Sequence, residues 1–111
     1  MPEKFTFALA PFASQIHEYL YEYLDIPIEK LKTKIERLSE VFIGYGGASA
    51  TYAHLKVELL EGRDKEKLAK AADVLLAHFK EAIEKQNPGI RCRITVEFRE
   101  IDPELLVAVQ I

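Results

Sequence analysis

A single cysteine, Cys92, leaves the chain unable to form an intrachain disulfide or a four-cysteine metal cluster. It falls in an alternating segment and is expected to act as a small buried apolar residue. Basic runs are lacking too. With a net charge of −3, a pI near 5.6 and no lysine or arginine stripe to track phosphates, nucleic acid is not an expected partner. No apolar run approaches the ~20 residues that a membrane span requires. The start, Met1-Pro2-Glu3-Lys4, has no apolar stretch behind a basic one, so the reading is a cytoplasmic protein with no membrane partner. His17, His54 and His78 are scattered without metal-ligand spacing. Gly44-Tyr45-Gly46-Gly47 is followed by no Gly-Lys-Ser/Thr, so it reads as a loop or ribbon tip rather than a phosphate cradle.

What is present is an ordinary globular balance, 49% apolar and 30% charged over 111 residues, enough for one domain with one core. Phe5, Phe7 and Leu9 alternate with polar or small residues, which predicts a short strand stopped by Pro11. From Phe12 to Leu24 the apolar spacing becomes helical, and Asp25-Ile26-Pro27 breaks it. The stretch 31–41 is ambiguous: its Lys and Glu content favours a helix, whereas the alternation of Leu31, Thr33 and Ile35 with Lys32, Lys34 and Glu36 favours a strand. Ala53, Leu55, Val57 and Leu59 alternate with His54, Lys56 and Glu58 in a clear strand. Asp64 then caps a helix reaching about Gln86, which Asn87-Pro88-Gly89 terminates. Cys92, Ile94, Val96 and Phe98 mark a further strand, and Leu105–Ile111 is an apolar tail beyond Pro103.

With a strand at 31–41 the chain becomes two tandem β-α-β units, about 2–43 and 50–103, plus the tail. The expected fold class is then α+β, a four-stranded mixed sheet with two helices on one face. The other sheet face and the apolar tail need water or a partner, which points to an oligomer. A monomeric ferredoxin-like sandwich has the same element order.

Tyr52-Ala53-His54-Leu55-Lys56-Val57-Glu58-Leu59-Leu60-Glu61-Gly62-Arg63 and Val96-Glu97-Phe98-Arg99-Glu100-Ile101-Asp102-Pro103, separated by one long amphipathic helix, resemble segments of 5-carboxymethyl-2-hydroxymuconate isomerases, a branch of the tautomerase superfamily. Leu31-Lys32-Thr33-Lys34-Ile35 is similar to a strand of that family that carries two arginines around a serine, and Met1-Pro2 matches the family's start. The part between Pro2 and Leu31 is several residues shorter than is usual there. The resemblance implies a strand at 31–41, a homotrimer with sites near subunit boundaries, and a reaction needing no metal or cofactor.

It also implies a chemistry. Family members use the N-terminal proline, freed by removal of the initiator Met, as general acid/base on small unsaturated keto or dienol carboxylic acids of the kind met in aromatic degradation. A free α-amine has a pKa of about 8, which burial or nearby cations lower toward neutrality. With Met1 attached, the Pro2 nitrogen is an amide and has no basic lone pair. Pro2 is therefore the candidate base. Arg63, just past a strand end, is the candidate grip for the substrate carboxylate. Lys32 stands where the family has arginine, with Lys34 on the same strand face; lysine brings charge but no planar fork. Glu97 and Glu100 lie on opposite faces of one strand and are read as sheet and edge residues. A catalytically silent trimeric homologue, acting as scaffold or small-ligand binder, is the alternative.

Overall fold

The computed structural model describes residues 6–37 and 51–111. Its regular part is the second half. Strand β1 (Thr51–Leu60) and strand β2 (Cys92–Ile101) pair in parallel, in register from Thr51↔Cys92 to Leu60↔Ile101. Parallel neighbours need a long return connection. Helix α2 (Lys65–Gln86) supplies it. At 22 residues it spans about 33 Å, the length of a ten-residue strand.

Local chemistry fixes the ends of α2. Gly62 turns the chain at φ 114°, which a side chain rarely adopts. The Asp64 carboxylate accepts from the Glu66 N–H at 3.2 Å, capping the first turn. Glu66 in the first turn and Lys85 in the last suit the helix dipole. Leu68, Ala71, Leu75, Phe79 and Ile83 form the buried stripe. The Asn87 N–H closes the last turn on the Ile83 carbonyl at 2.9 Å, and Gly89 (φ 78°) turns the chain into β2.

Helix α1 (Leu9–Leu24) buries Phe12, Ile16, Leu20 and Leu24, one row at i, i+4 spacing. It packs on α2 through rings: Phe12 stacks on Phe79 at 5.2 Å, and Phe7 meets both edge-on. Asp25 ends the helix in the left-handed region (φ 58°), its N–H on the Tyr21 carbonyl. Both helices and the Ala53/Leu59 side of the sheet share one core. Cys92 faces that core but is only half-buried.

Two expectations for the first half need correction. Residues 6–8 form no strand, and α1 begins at Leu9 rather than Phe12. Pro11 does not stop a strand; it sits in the first helical turn, where its missing N–H has no partner to lose. Nor do residues 31–37 form a strand or a helix, apart from Leu31 closing a 3₁₀ turn at Ile28–Lys30. Both stretches still alternate in burial, with Phe7, Leu31, Thr33 and Ile35 inward and Thr6, Ala8, Lys32, Lys34 and Glu36 outward. Among the described residues the α+β fold thus has two helices and one two-stranded parallel sheet. Phe5, residues 38–41 and the glycine-rich loop lie outside the described residues.

Candidate active site

Pro2 also lies outside the described residues, so the site is approached from Thr6. Asn87 spans both main-chain groups of Thr6. Its Oδ1 accepts the Thr6 N–H at 3.1 Å, and its Nδ2 donates to the Thr6 carbonyl at 2.7 Å. Gln86 Oε1 accepts the Ala8 N–H at 2.5 Å. Between them Phe7 is buried against Phe12 and Phe79, and Arg37 donates to the Phe7 carbonyl at 3.4 Å. The leading segment is therefore moored to the C-terminal end of α2.

Arg63 sits at the opposite end. Its guanidinium folds back on the last residue of β1 and donates to the Leu60 carbonyl at 3.1 Å. Among the described residues no carboxylate pairs with it, so most of its five donors stay available. Helix α2 separates the two ends by about 33 Å. The four residue steps from Thr6 back to Pro2 span at most ~14 Å. One chain does not bring the Arg63 guanidinium to the mooring of its own leading segment.

Lys32 and Lys34 point outward from the 31–37 segment. Lys34 is 85% exposed and pairs with Glu36 at 3.0 Å. That hydrogen bond is the main reason the Glu36 carboxyl is held below its usual value, with the charge of Lys56 adding to it. The two lysines thus belong to the outer, charged side of the protein. Thr33 faces inward and meets His17 Nε2 at 2.5 Å, tying this segment to α1.

The outer face of the sheet holds a polar cluster. His54 Nε2 lies 3.0 Å from Glu97 Oε1, and its Nδ1 lies 2.6 Å from the Thr95 hydroxyl. An ionised carboxylate only accepts, so Nε2 carries a proton; in the neutral ring Nδ1 then accepts from Thr95. Arg99 donates to the other Glu97 oxygen at 3.1 Å. Arg99 first, and His54 second, hold the Glu97 carboxyl below its usual value. This geometry has a base and an orienting carboxylate, but it lies on an open surface. Among the described residues, one surface depression is lined by Ser14, His17, Glu18, Tyr21, Glu22 and Ile28, and another runs along α2 from Ala77 to Lys85. Neither contains Arg63, Lys32 or Lys34. No group of three or more potential metal ligands occurs among the described residues, nor is any helix long and apolar enough to cross a membrane.

The sequence profile of the 5-carboxymethyl-2-hydroxymuconate isomerase family matches residues 4–108. The chain belongs to this family. Membership points to isomerase chemistry of the tautomerase superfamily. No individual curated protein matches the chain significantly. The two segments of strongest resemblance to these isomerases are β1 with its exit turn and β2 with its exit, and they lie side by side. His54 and Glu97, one from each, are bonded to each other. The profile begins at residue 4, so Pro2 stands just ahead of the matched span. Sequence reasoning missed Asn87, Gln86 and Arg37 as holders of the leading segment. A pair of amide side chains at the end of a long helix was the one available signal, and it looks like any helix terminus.

Proposed function

We propose that this member of the 5-carboxymethyl-2-hydroxymuconate isomerase family is a cofactor-independent tautomerase acting on a small unsaturated keto or dienol carboxylic acid. Pro2, unblocked by loss of Met1, serves as the base. Its neutral amine takes the proton from the dienol hydroxyl and delivers a proton to the terminal carbon of the conjugated system. The C=O forms as the C=C shifts, and the amine ends as it began. The family match over 4–108 carries this reading.

Arg63 and Lys32, with Lys34 beside it, orient the substrate carboxylate. Because Thr6 and Arg63 occupy opposite ends of α2, Arg63 serves a substrate held at a neighbouring chain's N-terminus. A homotrimer of two-unit subunits satisfies that requirement. It also covers the charged outer sheet face and the apolar tail, where Leu105 is 80% and Val107 93% exposed. In such an assembly the leading segment and residues 31–41 complete the four-stranded sheet.

Intact mass and one substitution test the proposal. The protein should lack Met1, and Pro2→Ala, which keeps an α-amine but loses the ring that aims it, should slow ketonisation of phenylenolpyruvate by about ten- to a hundredfold. Retained Met1, or full activity in Pro2→Ala, overturns it. The alternative, a catalytically silent scaffold or ligand binder, is favoured by lysines standing where the family carries arginines. It predicts no tautomerase activity from a trimer whose first residue is a free proline.

A further inference from the structure

We propose that Asn87 and Gln86 are positioning residues for the N-terminal amine; this rests on the reading of Pro2 as base. Residues 6–8 are extended yet have no strand beside them among the described residues. Their hydrogen bonds go instead to two side-chain amides projecting from the end of α2. The Asn87 amide reproduces both bonds of a ladder rung: it accepts from the Thr6 N–H at 3.1 Å and donates to the Thr6 carbonyl at 2.7 Å. Each amide is itself held from behind by the helix. Asn87 Nδ2 also donates to the Ile83 carbonyl, and Gln86 Nε2 to the Ala82 carbonyl, both at 3.2 Å. With donors on carbonyls and acceptors on N–H groups, neither amide can flip without losing every bond it makes. The Phe7 ring, buried between the two moorings, prevents the segment from sliding.

The amides lie several residues from the amine and act on it through the main chain. Their effect is on aim. A general base works only within hydrogen-bond reach of its proton, and a misplacement of about 1 Å costs on the order of a hundredfold in rate. Releasing the moorings should therefore lower kcat and leave carboxylate binding alone.

The experiment compares Asn87→Ala, Gln86→Ala and Pro2→Ala with the parent protein, using phenylenolpyruvate as probe and hydrogen exchange at Thr6 and Ala8. Asn87→Ala should expose the Thr6 amide and cut kcat by about ten- to a hundredfold. KM should stay within about twofold, and the pKa governing the rate should drift toward ~8, the free-amine value. Gln86→Ala installs the best helix former and so folds readily; it should give the same pattern, more weakly, with exchange rising at Ala8. Asn87→Asp keeps the acceptor for the Thr6 N–H and should fall between Asn87→Ala and the parent. Parental kcat and pH profile in chains whose Thr6 and Ala8 amides are freed overturn the positioning role. That failure is distinct from failure of the base itself, which shows as full activity in Pro2→Ala and removes both readings.

Discussion

The two halves of this chain solve the same problem in different ways. In the second half, extended residues find each other. Ten residues of β1 pair with ten of β2, and α2 closes the loop between them. In the first half, the main-chain groups of Thr6 and Ala8, just ahead of α1, bond to side-chain amides. Asn87 and Gln86 hold residues 6–8, and His17 ties down Thr33. Ladder bonds are cooperative and redundant, and one lost rung is shared among its neighbours. A side-chain mooring is a single point, and it can be removed by one substitution. The first half should accordingly open at lower cost than the second.

The sharpest test of that contrast is the residue joining the halves. Phe79 contacts both Phe7 and Phe12 from the centre of α2. Phe79→Ala should cost about 3–5 kcal/mol, read as a lower midpoint in urea, and should uncouple α1 from the sheet. If the halves then still melt together, the division drawn between them is wrong. Gly62→Ala comes next. Nothing lies within 4 Å of the added carbon, so the penalty is purely that of a side chain at φ 114°. About 1–2 kcal/mol is expected, all of it in the regular half. Asp64→Ala removes the α2 cap and should cost about 1 kcal/mol in thermal denaturation. The smallest effect concerns acid. The Glu97 carboxyl is held below its usual value by Arg99 and His54. Its contribution is therefore complete above the unfolded carboxylate range and is lost as pH falls through its lowered folded value. Glu97→Gln should flatten the acid limb of stability there and leave the neutral region nearly unchanged.

The contrast also explains which parts of the fold were legible in the sequence. Alternation of apolar and polar residues reports one dry face, and burial does alternate around Phe7 and from Leu31 to Ile35, as it does along β1. It says nothing about who receives the main-chain hydrogen bonds. At 53–59 and 92–98 the recipient was another alternating run across a capped, stripe-bearing helix, and the reading succeeded. At Thr6 and Ala8 the partners were two amides about eighty positions away, and no local pattern announces them. Pro11 misled for a related reason, since proline is equally at home after a strand and in a first helical turn. For the candidate site, Arg63 was found where expected, past the end of β1. Its remoteness from Thr6 was not foreseeable, because it depends on which end of α2 receives the leading segment.

That arrangement makes α2 a lever as well as a spacer. Its buried stripe, from Leu68 to Ile83, lies in the core along its length, and its far tip carries the leading segment. A tilt of only about 5° at the Lys65 end swings the tip of such a helix through roughly 3 Å. Substitutions beneath the Lys65 end should therefore disturb the leading segment at the far tip as well as stability.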